Sequence, residues 1–255
     1  MAFFECNFFS KAINIFTAMN VILPEDDFGR DYPTLYLLHG YTDNHTAWTR
    51  WSSIERYARE YNLAVVMPDV QKSFYNDFPG INDGYKYWKF VSEELIETSR
   101  RFFRLSHNRK DTFVAGLSMG GFGAFKCALN RPDIFSAAAS LSGAVDWGRN
   151  LRNNIGNKEH EMIMGDLSKF DGSENDLFSA AEKTSKLAEK PRLYQYCGTE
   201  DFLYEGNIKF RDFIKNLGYD YTYEESPGDH QWKYWDKHIE KFIGMLSLEG
   251  RIVRA

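Results

Sequence analysis

An α/β fold, with a mostly parallel central sheet and helices on both faces, is predicted by three features of the chain. Short apolar runs recur along it, stretches of helical period separate them, and most of the runs are apolar throughout instead of alternating. Strands covered by helices on both sides give such continuous runs, and parallel sheets are the ones so covered. At the start, apolar and polar positions alternate from Ile13 to Leu23, which predicts an antiparallel ribbon within the first 23 residues. Thr34 to Leu38, Leu63 to Met67, Thr112 to Ala115 and Ala137 to Leu141 predict buried strands. Arg192 to Tyr196 predicts another, and Asp220 to Glu224 alternates tyrosines with polar residues as an edge strand does. Ser52-Ser53-Ile54-Glu55 reads as a capping box ahead of Ile54, Tyr57, Ala58 and Tyr61 at helical spacing. Trp88, Val91, Leu95, Thr98 and Phe102 mark a second helix, Met119 to Leu129 a third, Leu203 to Leu217 a fourth and Trp232 to Leu246 a fifth. The interval from Asp146 to Pro191 interrupts the alternation without a strong strand. It is expected to be a cap-like insertion, at about 146–190, in a single domain spanning 1–255.

Composition narrows the class. With 43% hydrophobic and 26% charged residues in 255, the chain reads as an ordinary globular protein large enough to need no disulfide or metal staple. No run approaches the ~18 apolar residues of a membrane-spanning helix. Met1 to Ser10 contains Glu5 and lacks both a basic n-region and a sustained apolar h-region, so no secretory signal is expected. The three cysteines, Cys6, Cys127 and Cys197, are widely spaced and fit reduced thiols in a cytoplasm. A net charge of −5 without a basic block argues against a phosphate-tracking nucleic-acid surface. Asp171 to Glu182 sets oxygens at four positions of a calcium loop, but Asp176 stands where that loop needs glycine. Those residues read instead as a loop and the N-cap of a helix from Leu177, and with no zinc motif present neither metal nor cofactor is expected.

The chemistry is concentrated in three loops. Gly116-Leu117-Ser118-Met119-Gly120 has the G-x-S-x-G pattern of a nucleophile elbow, follows an apolar run and opens into the small residues of a helix. A phosphate-binding loop would need lysine where Phe122 stands, and a dinucleotide fingerprint starting at Gly121 meets Lys126 in place of its third glycine. A serine hydroxyl near neutral pH needs a histidine base, and the histidine needs an acid to orient it. Asp201, in Cys197-Gly198-Thr199-Glu200-Asp201, and His230, in Pro227-Gly228-Asp229-His230, both follow strands in the chain order Ser, acid, His. Glu200 and Asp146 are rival acids; His39, His45, His107, His160 and His238 are less well placed as the base. A developing oxyanion needs two backbone N–H donors. One is expected from Met119, the other from the loop Leu38-His39-Gly40-Tyr41-Thr42, at Tyr41 with Thr42 as the alternative.

Together, Leu37-Leu38-His39-Gly40, Gly116-Leu117-Ser118-Met119-Gly120-Gly121, Cys197-Gly198-Thr199-Glu200-Asp201 and Gly228-Asp229-His230 resemble the esterase D group of α/β-hydrolases, and within it the bacterial tributyrin esterases. The likeness runs from about Ile13 to Ile243 and is weakest in the cap. It implies the α/β-hydrolase fold, a triad of Ser118, Asp201 and His230, and an oxyanion hole at Tyr41 and Met119. The implied activity is a serine carboxylesterase working through an acyl-enzyme. The group also includes S-formylglutathione hydrolases, feruloyl and acetyl xylan esterases and mycolyl transferases, and a retired hydrolase fold serving as a binding module is the alternative of another class. Six of the 16 residues from Ser73 to Trp88 are aromatic, where the chain average of 16% predicts about 2.6. Phe74 and Tyr75, with Trp147, Phe202 and Trp232 after later strands, are therefore expected as an aromatic rim for a small-molecule ester. No membrane or nucleic-acid partner is expected, and a homo-oligomer stays open.

Overall fold

Eight strands lie side by side in the computed structural model, which describes residues 1–25, 29–80, 84–151, 158–246 and 248. They are β1 (Ala2–Ser10), β2 (Ile15–Leu23), β3 (Thr34–Leu38), β4 (Ala64–Pro68), β5 (Thr112–Leu117), β6 (Ala137–Leu141), β7 (Arg192–Gly198) and β8 (Tyr221–Ser226), in the order β1-β2-β4-β3-β5-β6-β7-β8. β1 and β2 form the expected antiparallel ribbon and β2 joins β4 antiparallel; from β4 to β8 every pair is parallel. The runs of β3, β4, β5 and β6 are buried at every residue, whereas β8 is an edge, partly exposed along most of its length.

Alternation along these strands feeds two cores. Leu35, Leu37, Phe113, Ala115 and Leu117 face one layer with α2 (Ile54–Tyr61) and α10 (Trp232–Met245), through Ile54, Tyr57, Trp235, Ile239 and Phe242. Tyr36, Leu38 and Val114 face the other, with α5 (Met119–Asn130), α8 (Leu177–Ser185) and α9 (Tyr204–Ile214), through Phe122, Phe125, Phe178 and Phe210. The accessible surface of 11,418 Å² is close to the roughly 11,600 Å² that mass scaling gives for one well-buried body of this size.

Three local departures have identifiable causes. Ser52 and Glu55 make no capping box: Ser52 instead ends α1 (Ala47–Trp51) with its hydroxyl on the Trp48 carbonyl, 2.5 Å. The Ser53 N–H that begins α2 is taken by the Asp236 carboxylate of α10 at 2.8 Å, a tertiary bond that replaces the local one. The second helix is continuous from α3 (Tyr87–Lys89) into α4 (Leu95–Phe102), but passes through a π-helical segment, Phe90–Glu94. There Glu94 accepts from the Ser10 hydroxyl (2.5 Å) and the N–H groups of Lys11 (2.7 Å) and Ala12 (3.0 Å), tying the helix to the turn between β1 and β2. Finally, β7 and β8 each run two residues beyond the expected end, to Gly198 and Ser226.

The segment between β6 and β7 holds α6 (Trp147–Leu151), α7 (Lys158–Met164) and α8, with residues 152–157 outside the described set. As expected, Asp176 caps α8, accepting from the Ser179 N–H. Among the described residues, no helix is long and apolar enough to cross a membrane.

Candidate active site

Strand register gathers the site. Leu38 pairs with Gly116, Leu117 with Leu141, Leu141 with Tyr196, and Gly198 with Ser226, so the C-terminal ends of β3, β5, β6, β7 and β8 finish along one line. Strand order reverses where β3 lies between β4 and β5, and the loops after β3 and β5 adjoin there. An open parallel sheet places its ligands at such a point.

Ser118 stands at the turn from β5 into α5 with φ 53° and ψ −118°, a conformation rare for a residue bearing a Cβ. Its own backbone holds it there. The Ser118 N–H donates to the Leu141 carbonyl (2.9 Å), and its carbonyl accepts from the N–H groups of Gly121 (3.0 Å), Ala144 (3.1 Å) and Phe122 (3.2 Å). Leu117 and Met119 on either side are buried while Ser118 stays partly open. The helix start is pressed onto the β3 loop: a Cβ on Gly120 would lie 2.4 Å from the Leu38 carbonyl oxygen and 2.7 Å from that of His39. Only glycine fits that approach.

The β3 loop is wired from within. Asp43 N–H donates to the Gly40 carbonyl at 3.2 Å, making Tyr41 and Thr42 the middle of a turn. His39 Nδ1 lies 2.7 Å from the same carbonyl, and His39 Nε2 accepts the Val70 N–H at 3.1 Å. These partners select the neutral tautomer that donates from Nδ1, and complete burial depresses the His39 pKa in the same sense. In a trans peptide the N–H lies opposite the C=O, so fixing the Gly40 carbonyl against His39 turns the Tyr41 N–H the other way. A Cβ on Gly40 would sit 3.8 Å from Ser118 Cβ, so the loop passes beside the serine. Met119 opens α5, where the first N–H groups have no intrahelical partner.

Asp201 and His230 are brought together from the loops after β7 and β8. His230 Nδ1 is 2.8 Å from Asp201 Oδ2, and the Asp201 side chain is wholly buried. Asp201 Oδ1 accepts the Leu203 N–H at 2.9 Å, so the residue also serves the start of α9. The His230 ring lies between Phe202 and Trp235, at centroid separations of 4.6 and 4.8 Å. The rival acids face elsewhere. Glu200 is exposed, and Asp146 Oδ2 is 3.7 Å from Lys209 Nζ. His238 is buried in α10 with Nδ1 2.6 Å from the Tyr194 hydroxyl, and burial pushes its pKa down to about 4.

The aromatic candidates divide. Phe74 stacks on Trp147 at 3.5 Å and 4°, joining the loop after β4 to α6, and its ring also lies 5.4 Å from that of Tyr41. Phe202 is 75% exposed beside His230 and, with Trp147, Asp146, Gly143, Gly206 and Lys209, lines a cavity of about 80 Å³. Trp232 packs edge-on against Trp48 at 5.0 Å, with the core that α2 and α10 share. Tyr75 is no rim residue. It is fully buried, and its hydroxyl donates to the His39 carbonyl at 2.9 Å, because the chain at Phe74 and Tyr75 takes positive φ (49° and 55°) and turns that ring inward.

Behind Tyr75 stands Lys126, the residue that breaks the dinucleotide pattern after Gly121. Its Nζ donates to the Tyr75 carbonyl (2.8 Å) and Asn76 Oδ1 (2.6 Å), lies 4.4 Å from the Trp88 ring centroid, and burial lowers its pKa to about 8. One signal was available: a lone charge within the small and apolar run Gly120 to Leu129.

If His39 orients the Tyr41 amide, His39→Ala lowers kcat by about 10²–10³, the usual cost of one oxyanion donor, and changes KM little. Steady-state kinetics beside a thermal melt checks this; an equal loss in KM alone would assign His39 to ground-state binding.

A family model described as "Putative esterase" matches residues 10–246. An acetyl esterase of Caldicellulosiruptor saccharolyticus is 34% identical over 264 residues, covering 97% of this chain and 98% of that one. Among solved structures, a fluorophosphonate-binding serine hydrolase of Staphylococcus aureus in a substrate-bound state has a TM-score of 0.87 at 36% identity, covering 96% of this chain and 98% of the other. An S-formylglutathione hydrolase from the same organism, as apoenzyme, has a TM-score of 0.85 at 35% identity with the same coverage.

Proposed function

Since the chain belongs to the Esterase family and carries the α/β-hydrolase fold, we propose that it is a serine carboxylesterase acting on short-chain acyl esters through Ser118, His230 and Asp201. The observation that carries the reading is the 2.8 Å bond from His230 Nδ1 to a buried Asp201, on loops aligned by register with the end of β5, where Ser118 stands. His230 Nε2 takes the Ser118 proton as Oγ attacks the ester carbonyl, then returns it to the leaving alcohol. Asp201 holds the imidazole in the tautomer that leaves Nε2 free to accept. The amides of Tyr41 and Met119 receive the oxyanion in both tetrahedral steps. Water repeats the sequence on the acyl-enzyme and releases the acid.

Within the family, the esterase D group and its tributyrin esterases are the likeness we favour, on the four motifs quoted above. The 34% identical acetyl esterase supports a small acyl group, with the 146–190 segment acting as a cap. The three free thiols support a cytoplasmic setting. S-formylglutathione hydrolysis is the second reading, supported by the 35% identical structure.

A nitrophenyl ester series from acetate to decanoate, run beside S-formylglutathione and methyl ferulate, tests the proposal. Each methylene that finds apolar wall contributes up to about 0.8 kcal/mol, so kcat/KM rises over the first few carbons and falls once the pocket is full. A maximum at about eight carbons or beyond would refute the small pocket. Dominant turnover of S-formylglutathione would promote the second reading, and absence of labelling by a fluorophosphonate would return the binding-module alternative.

A further inference from the structure

β1 is an edge of the sheet, paired among the described strands with β2 alone. Edge strands are ordinarily blunted by charge, proline, bulges or shortness. β1 has nine residues, contains one charge, Glu5, and no proline, and stays in unbroken register with β2 from Ala2↔Leu23 to Ser10↔Ile15. It is also aromatic: Phe3, Phe4 and Phe9 are 41%, 39% and 49% exposed, and Phe16, opposite Phe9, is 78% exposed. Such an edge is a template for one more strand.

The order of its residues says which strand. Ala2-Phe3-Phe4-Glu5-Cys6-Asn7-Phe8-Phe9-Ser10 reads nearly the same in both directions about Cys6. Two copies laid antiparallel about a twofold axis at Cys6 set Phe3 against Phe9, Phe4 against Phe8 and Glu5 against Asn7. Each such pair joins odd to odd or even to even positions, so the outward N–H and C=O groups of one copy meet those of the other and both sheet faces continue across the join. Neighbouring registers are worse. An axis at Glu5 puts two carboxylates directly opposite, and one at Asn7 sets Phe9 against Glu5; like charges in facing positions destabilise a ladder while aromatic pairs stabilise it. At about 200 Å² per ring, Phe3, Phe4 and Phe9 expose roughly 250 Å² per copy. Complete burial of these rings in both copies would supply about half of the roughly 1,000 Å² of a specific interface, and the paired backbones with Glu5 and Asn7 must supply the rest.

We propose that the protein is a homodimer in which the β1 strands pair antiparallel about Cys6 and join the two sheets into one. The contact is isologous, as closed twofold symmetry requires. Cys6 is the one of the three thiols that is not buried, and the proposed axis places the two copies of it face to face.

Sedimentation at about 20 μM, well above the dissociation constant of ordinary dimers, tests it. Wild type is expected to sediment as a dimer. Phe3→Glu with Phe9→Glu faces carboxylates across the join and yields a monomer that still hydrolyses nitrophenyl butyrate, which shows that it has folded. Phe3→Lys with Phe9→Glu faces opposite charges in the same register and restores the dimer. A short bis-maleimide, to whose two double bonds the two thiols add, links wild type into dimers and fails with Cys6→Ser. A monomeric wild type, a dimer that survives the double glutamate exchange, or a charge pair that restores nothing would each overturn the proposal.

Discussion

Ser118→Ala is expected to lower kcat for nitrophenyl butyrate by about 10⁵–10⁶ while leaving the fold intact. The exchange removes only Oγ. The Cβ remains, so the φ of 53° is no worse tolerated, and the four bonds that hold the elbow all use the Ser118 backbone. With no nucleophile to receive the acyl group, the acyl-enzyme route closes and fluorophosphonate labelling is lost. What persists is the smaller acceleration due to two amides aimed at a carbonyl oxygen, roughly 10³–10⁴ over water. Single-turnover kinetics and labelling on the same preparation decide the matter; a variant that keeps a burst of nitrophenol places the nucleophile elsewhere.

Asp201→Asn is expected to cost on the order of 10⁴ in kcat, with a melting temperature near that of wild type. Oδ1 still accepts the Leu203 N–H, so α9 starts as before. The other position becomes an amide nitrogen, which donates and cannot accept the proton on His230 Nδ1. The imidazole then carries its proton on Nε2, where the serine needs a vacant lone pair. Asp146→Asn is the comparison, because Asp146 follows β6, is nearly as buried, and faces Lys209 at 3.7 Å. It should change kcat by a few fold at most. If Asp146→Asn is the crippled variant and Asp201→Asn is not, the orienting acid comes from the β6 loop.

The strands were legible because parallel strands beneath two helical layers are buried at every residue, and the resulting apolar runs, four or five residues long, are too short for buried helices. Gly120 and Asp201 were legible for a related reason. A backbone that must pass within van der Waals contact of another leaves its mark as glycine, and Asp201 stood out, beside its rivals Glu200 and Asp146, as an acid that follows a strand and precedes His230 in the chain order of a triad. His39 and Lys126 escaped because their partners are main-chain or amide atoms of Gly40, Val70, Tyr75 and Asn76. Carbonyls and N–H groups are the same in every residue, so no pattern of side chains announces a bond to them. Ser52 shows the converse. Its local pattern was correct for a capping box, but an aspartate 184 positions later in the chain took the neighbouring N–H first. Tyr75 was misplaced because composition counts aromatic rings and says nothing of the positive φ that turns one of them inward.

The alignment of strand ends separates what this enzyme does from what it does it to. The groups proposed for bond making sit on short loops after β3, β5, β7 and β8, each anchored by hydrogen bonds within the sheet or to a neighbouring loop, whereas the segment between β6 and β7 adds a wall without supplying any of them. Its ends are fixed by β6 and β7, which pair from Ala137↔Arg192 to Leu141↔Tyr196 whatever lies between. Within that segment the Ala144 N–H holds the Ser118 carbonyl and α8 packs into the core beside α5 and α9, so only the stretch between them, from α6 to α7, is expected to accept a change of length or polarity with the scaffold kept, as a tool head is changed on a common shaft.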